Sequence, residues 1–261
     1  MAWLQLFLAS LLILLGYMTI LWLVSLVKKD SSIVDIFWGL GFVVLSAVYY
    51  FAVSSFPTRS LLVFALVAVW GLRLTIRIFR RNWRREEDFR YRAWRQAAGS
   101  KYWWFSYFQV FLLQGGLMGL LITPVLTAQF NSAPDELTFF DLAGVLVWGV
   151  GFFFEAVGDW QLDRFKNDPA NKGQLMRSGL WAYTRHPNYF GDALVWWGYF
   201  LIALGTPGGL WTLYSPMLMT WLLVRVSGVA LLEKALLDSK PGYREYVQST
   251  RAFIPWFPRR R

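Results

Sequence analysis

Between Gly179 and Asp192 the chain reads Gly-Leu-Trp-Ala-Tyr-Thr-Arg-His-Pro-Asn-Tyr-Phe-Gly-Asp, and this string holds the only histidine of 261 residues. Arg185, His186, Asn188, Tyr189 and Asp192 supply donors, acceptors and one formal charge of each sign within eight residues. Pro187 disfavours helical geometry at His186, the residue before it. Asn188 through Asp192 can then form the first turn of the next helix. The free N–H groups and positive dipole end of such a turn suit a phosphate or carboxylate. The other use of the same residues is a capped, positively charged loop.

Further ionisable residues interrupt apolar runs, where charge is costly and marks candidate sites. Asp35 follows Ser31-Ser32-Ile33-Val34. It is either a site carboxylate or a capping group with Ser31 or Ser32 at the N-cap. Arg73 and Arg77 lie one turn apart, as do Glu155 and Asp159. Two carboxylates on one helical face repel unless cations, ligand donors or a proton offset them. Arg225 and Glu233 flank the cytoplasmic half of the last apolar run. With one His and no Cys, no metal site is expected. The missing cysteines also exclude disulfides and a thiol nucleophile.

The elements that must position these residues are membrane helices. The chain is 56% hydrophobic and 19% aromatic, and the apolar residues come in blocks of membrane-spanning length. The expectation is an all-α membrane protein, one polytopic domain over residues 1–261. About seven transmembrane helices are expected, near 3–27, 33–53, 60–79, 104–126, 141–160, 190–205 and 210–232. Arginines and lysines gather after the first, third and fifth runs and at the C-terminus. That bias puts the N-terminus outside and the C-terminus in the cytoplasm. It also accounts for the net charge of +10 without nucleic acid. Residues 80–103 form a basic cytoplasmic loop in which Arg alternates with Trp83, Phe89, Tyr91 and Trp94. An interfacial amphipathic helix contacting membrane lipids fits this composition. Residues 233–261 are a cytoplasmic tail.

The string Arg185-His186-Pro187-x-Tyr189-x-Gly191 resembles a signature shared by the steroid 5-alpha reductase family and the isoprenylcysteine carboxyl methyltransferases. Asp192, Leu232-Glu233-Lys234, Pro241 to Tyr246 and Phe253 to Pro258 look like the bacterial, reductase-like branch. The resemblance covers roughly residues 140 to 258 and is weaker before that. It implies a seven-helix enzyme that reduces a carbon–carbon double bond conjugated to a ketone. NADPH would lie in a cytoplasm-facing cavity, and a hydrophobic or lipid substrate would enter from the membrane. Glu155-x-x-x-Asp159 resembles the reductases' helix-five Asn-x-x-x-Asp. Asn188-x-x-Gly191-Asp192 resembles their Asn-x-x-Gly-Glu, and Trp70-x-x-Arg73 their Tyr-x-x-Arg. Arg84 and Arg225 match two further arginines. The resemblance thus implies cofactor binding by Arg73, Arg84, Glu155, Asp159, Tyr183, Arg185, His186, Asn188, Tyr189, Asp192, Arg225 and Glu233.

The catalytic positions depart from the pattern. Asp35 stands where the reductases carry a second-helix Glu, and Trp70 stands where they carry a Tyr with a phenol proton. On this reading the nicotinamide delivers hydride and protonated Asp35 hydrogen-bonds the developing enolate. The expected activity is therefore an NADPH-dependent oxidoreductase acting on a CH–CH group of a steroid- or isoprenoid-type enone or alkene, in a bacterial inner membrane. The alternative is an S-adenosylmethionine-dependent methyltransferase, but those enzymes carry a downstream Glu-Glu pair where this chain has Glu233-Lys234.

Overall fold

Apolar length and helix-ending residues decide the elements. Among the described residues every regular element is helical. The computed structural model describes residues 2–52, 57–83, 85–131, 133–226 and 228–258, apart from the side chains at 231, 235 and 238. The chain forms two units: Met1–Leu137 with Thr206–Gly209, and Thr138–Gly205 with Leu210–Arg261.

The first unit contains α1 (Trp3–Lys28), α2 (Ile33–Ala52), α3 (Thr58–Asn82), α4 (Phe89–Ala98), α5 (Tyr102–Ser106), α6 (Leu113–Leu121) and α7 (Thr123–Phe130). A π-helical turn, Tyr107–Leu112, joins α5 to α6. Helices α2 and α3 approach until a Cβ on Gly39 would fall 2.4 Å from the Gly71 carbonyl oxygen. Only glycine at both positions permits that approach, which is how membrane helices gain packing without a hydrophobic drive between them. Helix α7 is tied to this pair by one buried amide. Gln129 Nε2 donates to the Ser46 and Ser60 carbonyls at 3.1 and 3.3 Å, while its Oε1 accepts from Ser46 Oγ at 2.9 Å.

The second unit contains α8 (Phe139–Asn167), α9 (Pro187–Leu204), α10 (Tyr214–Trp221), α11 (Val229–Ser239) and α12 (Tyr243–Ser249). Thr138 caps α8: its side chain accepts from the Asp141 N–H, and Asp141 accepts from the Thr138 N–H at 2.6 Å. Helices α8 and α9 run antiparallel and interlock through glycines spaced by seven. Gly144 meets the Gly198 carbonyl and Gly151 meets the Gly191 carbonyl; a Cβ at either α8 position would sit 2.7 or 2.6 Å from that oxygen. Seven residues are close to two helical turns, so both contacts fall on one face.

Five helical stretches are long and apolar enough to cross a membrane: α1, α2, α3, the continuous run Phe89–Leu121, and α8. Large apolar side chains stay exposed along them, including Leu12 at 71% and Leu146 at 62%. Such a surface needs lipid as its solvent, so the chain reads as a multi-pass integral membrane protein. The fourth run starts earlier than residue 104. The Asp88 carboxylate accepts from the Arg90 N–H at 3.0 Å and starts a helix inside the basic stretch. The other two expected spans are α9, of 18 residues, and the stretch after Gly209, divided among a 3₁₀ turn, α10 and a π-helical turn at Leu222–Val226.

Candidate functional site

Pro187 is the first residue of α9, and His186 before it is non-helical, with φ −139° and ψ 63°. Proline is well placed there because the first-turn N–H groups have no intrahelical acceptor. The α8–α9 interlock then fixes which residues meet. Asn188 Nδ2 donates to Asp159 Oδ1 at 3.1 Å. Asp159 and Glu155 are each 3% exposed, and a Cβ on Gly191 would touch the Glu155 backbone nitrogen at 2.4 Å. The two short motifs on α8 and α9, 29 residues apart at their polar contact, thus converge. Asp192 lies half-buried one residue after Gly191.

Arg185 and His186 turn toward α11 and the tail. One oxygen of Glu233 accepts from Arg185 Nε at 2.8 Å, from Arg185 Nη2 at 2.6 Å, and stands 3.3 Å from His186 Nε2. Arg185 Nη1 donates to the Val247 carbonyl at 3.1 Å and to the Thr250 carbonyl. Burial pushes the Glu233 carboxyl up, but the hydrogen bonds from His186 and Arg185 and the Arg185 charge outweigh it and hold the group below the usual carboxylate range. Burial, and then the charge of Glu233, push the Tyr243 phenol up to about 12. Tyr189 stacks on the His186 ring, with centroids 5.5 Å apart and planes 10° apart. Tyr183 is exposed, its carbonyl accepts from the Trp256 N–H at 2.9 Å, and its ring meets Phe257 edge-on. Arg225 lies exposed in the π-helical turn.

In the first unit, Asp35 occupies the first turn of α2 but is not a cap. The Ser31 N–H donates to Glu87 Oε1 at 2.7 Å and the Ser32 N–H to Asp30 Oδ1 at 2.9 Å. Asp35 instead accepts from Tyr91 Oη at 2.7 Å and from Arg90 Nη2 at 2.8 Å. Gln114 Nε2 donates to the same phenol oxygen at 3.3 Å. Arg90 is held in turn by Asp88 at 2.9 Å. Glu87 anchors the neighbouring segment by accepting from Arg95 Nη2 at 2.8 Å and from Arg95 Nε at 2.9 Å. Burial pushes the Glu87 carboxyl up, but the Arg95 and Ser31 hydrogen bonds and the Arg95 charge prevail and lower it. Trp70 is fully buried, its ring 5.7 Å from Phe42. Arg73 is half-buried on α3, three residues along from Trp70. Arg84 lies outside the described residues.

Sequence reasoning missed Tyr91, Arg90 and Gln114 as companions of Asp35. Tyr91 is 3% exposed although its neighbours Arg92 and Trp94 are exposed. The available signal was a helical period beginning at Asp88, which puts Tyr91 on the inward face of α4.

A family model described as "Protein of unknown function (DUF1295)" matches residues 21–250. The chain belongs to this family. An uncharacterized protein of Schizosaccharomyces pombe is 27% identical over 265 residues, covering 90% of this chain and 76% of that protein. No solved structure matches.

Proposed function

We propose that this family member is a membrane-embedded, NADPH-dependent reductase of a polarised alkene carried on a steroid- or isoprenoid-like lipid. The observation that carries the reading is the Asn188–Asp159 hydrogen bond at 3.1 Å. It joins the two motifs that the family resemblance assigns to the cofactor. We also read α9 and the stretch after Gly209 as the last two of seven crossings, with the N-terminus outside and the basic segments in the cytoplasm.

The residues around the start of α9 fit part of such a cofactor. Glu155, Asp159 and Asp192 are acceptors, suited to carboxamide and ribose hydroxyl donors. Asn188 offers both a donor and an acceptor, and Tyr189 stacked on His186 adds a flat wall. On the resemblance, Arg73, Arg84 and Arg225 are the cations proposed for the phosphates. When bound, NADPH supplies a hydride.

The proton is the contribution of the chain. Asp35 accepts in both of its hydrogen bonds, from the guanidinium of Arg90 and from the phenol of Tyr91, and the phenol is the neutral acid of the two donors. Tyr91 therefore takes the acid role that Trp70 has no phenol to fill, with Asp35 and Arg90 orienting it. Trp70, on α3, packs against Phe42 of α2. Addition of one hydride and one proton across the double bond balances the reaction.

Titration of the purified protein in detergent against NADPH, NADH and S-adenosylmethionine tests the reading. NADPH is expected to bind. Tight S-adenosylmethionine binding with none for NADPH would replace the reductase by the methyltransferase.

A further inference from the structure

The loop before α9 is bonded on one side to α8, through Leu180 N–H to Gln161 Oε1 and Trp181 Nε1 to the Gly158 carbonyl, and on the other to the last part of the chain. Trp181 gives its carbonyl to Tyr246 Oη, and the Tyr183 carbonyl accepts from the Trp256 N–H at 2.9 Å. Thr184 Oγ1 donates to the Phe253 carbonyl at 2.8 Å, and the Arg185 N–H donates to the Arg251 carbonyl at 2.9 Å. The guanidinium of Arg185 is buried, 7% exposed; it hydrogen-bonds Glu233, Val247 and Thr250 through three N–H groups, and its Nη2 lies in ion-pair contact with the same Glu233 oxygen. A guanidinium so engaged has little left to offer a phosphate.

We propose that Arg185 and Glu233 are positioning residues rather than ligand contacts. The segment from Gly242 to Trp256 is the template on which the loop 181–186 is formed. Glu233 is the node of the arrangement, because a single oxygen holds both Arg185 and His186 and links them to α11. Backbone groups of a short irregular loop need partners wherever they are buried, and here those partners lie about seventy residues along the chain. Presentation of Asn188, at the first turn of α9, depends on this clasp. Only the ligand arm of the test rests on the reductase reading.

The experiment uses the full-length protein in detergent with Arg185→Lys, Glu233→Ala, Glu233→Gln and the milder Thr184→Val. Two readouts are taken: hydrogen exchange over residues 181–186 and 243–256, and affinity for NADPH and NADH. The expected result is faster exchange in both segments for Arg185→Lys and Glu233→Ala. Glu233→Gln, which keeps an acceptor oxygen, should restore most of the protection. Affinity for both nucleotides should fall by a similar factor, on the order of tenfold for one lost charged hydrogen bond. Unchanged exchange in the tail overturns the proposal. So does a loss confined to NADPH, which would put Arg185 on the 2′-phosphate. If Arg185→Lys and Glu233→Ala fail to fold, Thr184→Val decides by the same exchange readout, since it removes a single hydroxyl, the donor to the Phe253 and Ala252 carbonyls and the acceptor of the His186 N–H. If the unaltered protein binds neither nucleotide, the reductase reading falls while the exchange arm still judges the clasp.

Discussion

Replacing Gly191 by alanine should separate α8 from α9, and the distances give the size of the effect. The added Cβ would lie 2.4 Å from both the Gly151 carbonyl oxygen and the Glu155 nitrogen, where ordinary van der Waals contact begins at 3.4 Å. Both obstacles are backbone, so no side chain can turn aside, and the helices must part by about 1 Å. Asn188 Nδ2 and Asp159 Oδ1, now 3.1 Å apart, would then stand near 4 Å, beyond hydrogen-bond range. Overpacking of this kind costs about 1–3 kcal/mol, and the lost bond to a charged group about 1.5–3 kcal/mol more. Gly149→Ala is the control: it lies on the same α8, and a Cβ there meets nothing within 4 Å. It should be neutral or stabilising, since alanine in a helix interior gains roughly 0.5–1 kcal/mol over glycine. Thermal unfolding in detergent compares the two. A Gly191→Ala protein as stable as Gly149→Ala would refute the claim that glycine contacts set the helix spacing.

Two further outcomes follow from the polar clusters. Glu233 is held below the usual range in the folded chain, so its contribution to the clasp is complete above the ordinary glutamate value of 4.5 and is lost as pH falls below it. Protection of residues 243–256 from hydrogen exchange, taken relative to the intrinsic rate at each pH and followed downward from neutral, should be flat until that range and then fall; a fall beginning near neutrality would point to another group. Tyr91→Phe removes the phenol shared by Asp35 and Gln114. Turnover should drop about 10²–10⁴-fold, as for loss of a general acid, with cofactor affinity kept, and full turnover would exclude Tyr91 as the proton source.

What could be read in the sequence was local. Pro187 starts α9 and His186 stays out of the helix because those constraints act between neighbours in the chain. The helical class and most of the apolar runs follow from length and composition. Asn188 and Asp159 were legible only through a family pattern, since no periodicity links residues on different helices. The partners of Asp35 were hidden for a similar reason. Arg90 and Tyr91 lie 55 and 56 residues away in a stretch whose composition suggests a membrane surface. The inward turn of Tyr91 depends on a helix that starts at Asp88 instead of residue 104. In the tail clasp the side-chain donors of Thr184, Arg185 and Tyr246 find backbone carbonyls, and a carbonyl carries no residue-specific signal.

Gln129 has a consequence for the order in which the first unit is assembled. Its amide is fully buried and bonds to Ser46 on α2 and Ser60 on α3. In an apolar surrounding an amide without partners is costly, and its full set of partners exists only once α2 and α3 already lie side by side. Helix α7, made after both, can therefore seat fully only on a finished pair. One side chain thus works as an assembly gate that checks the alignment of two earlier helices before admitting the third.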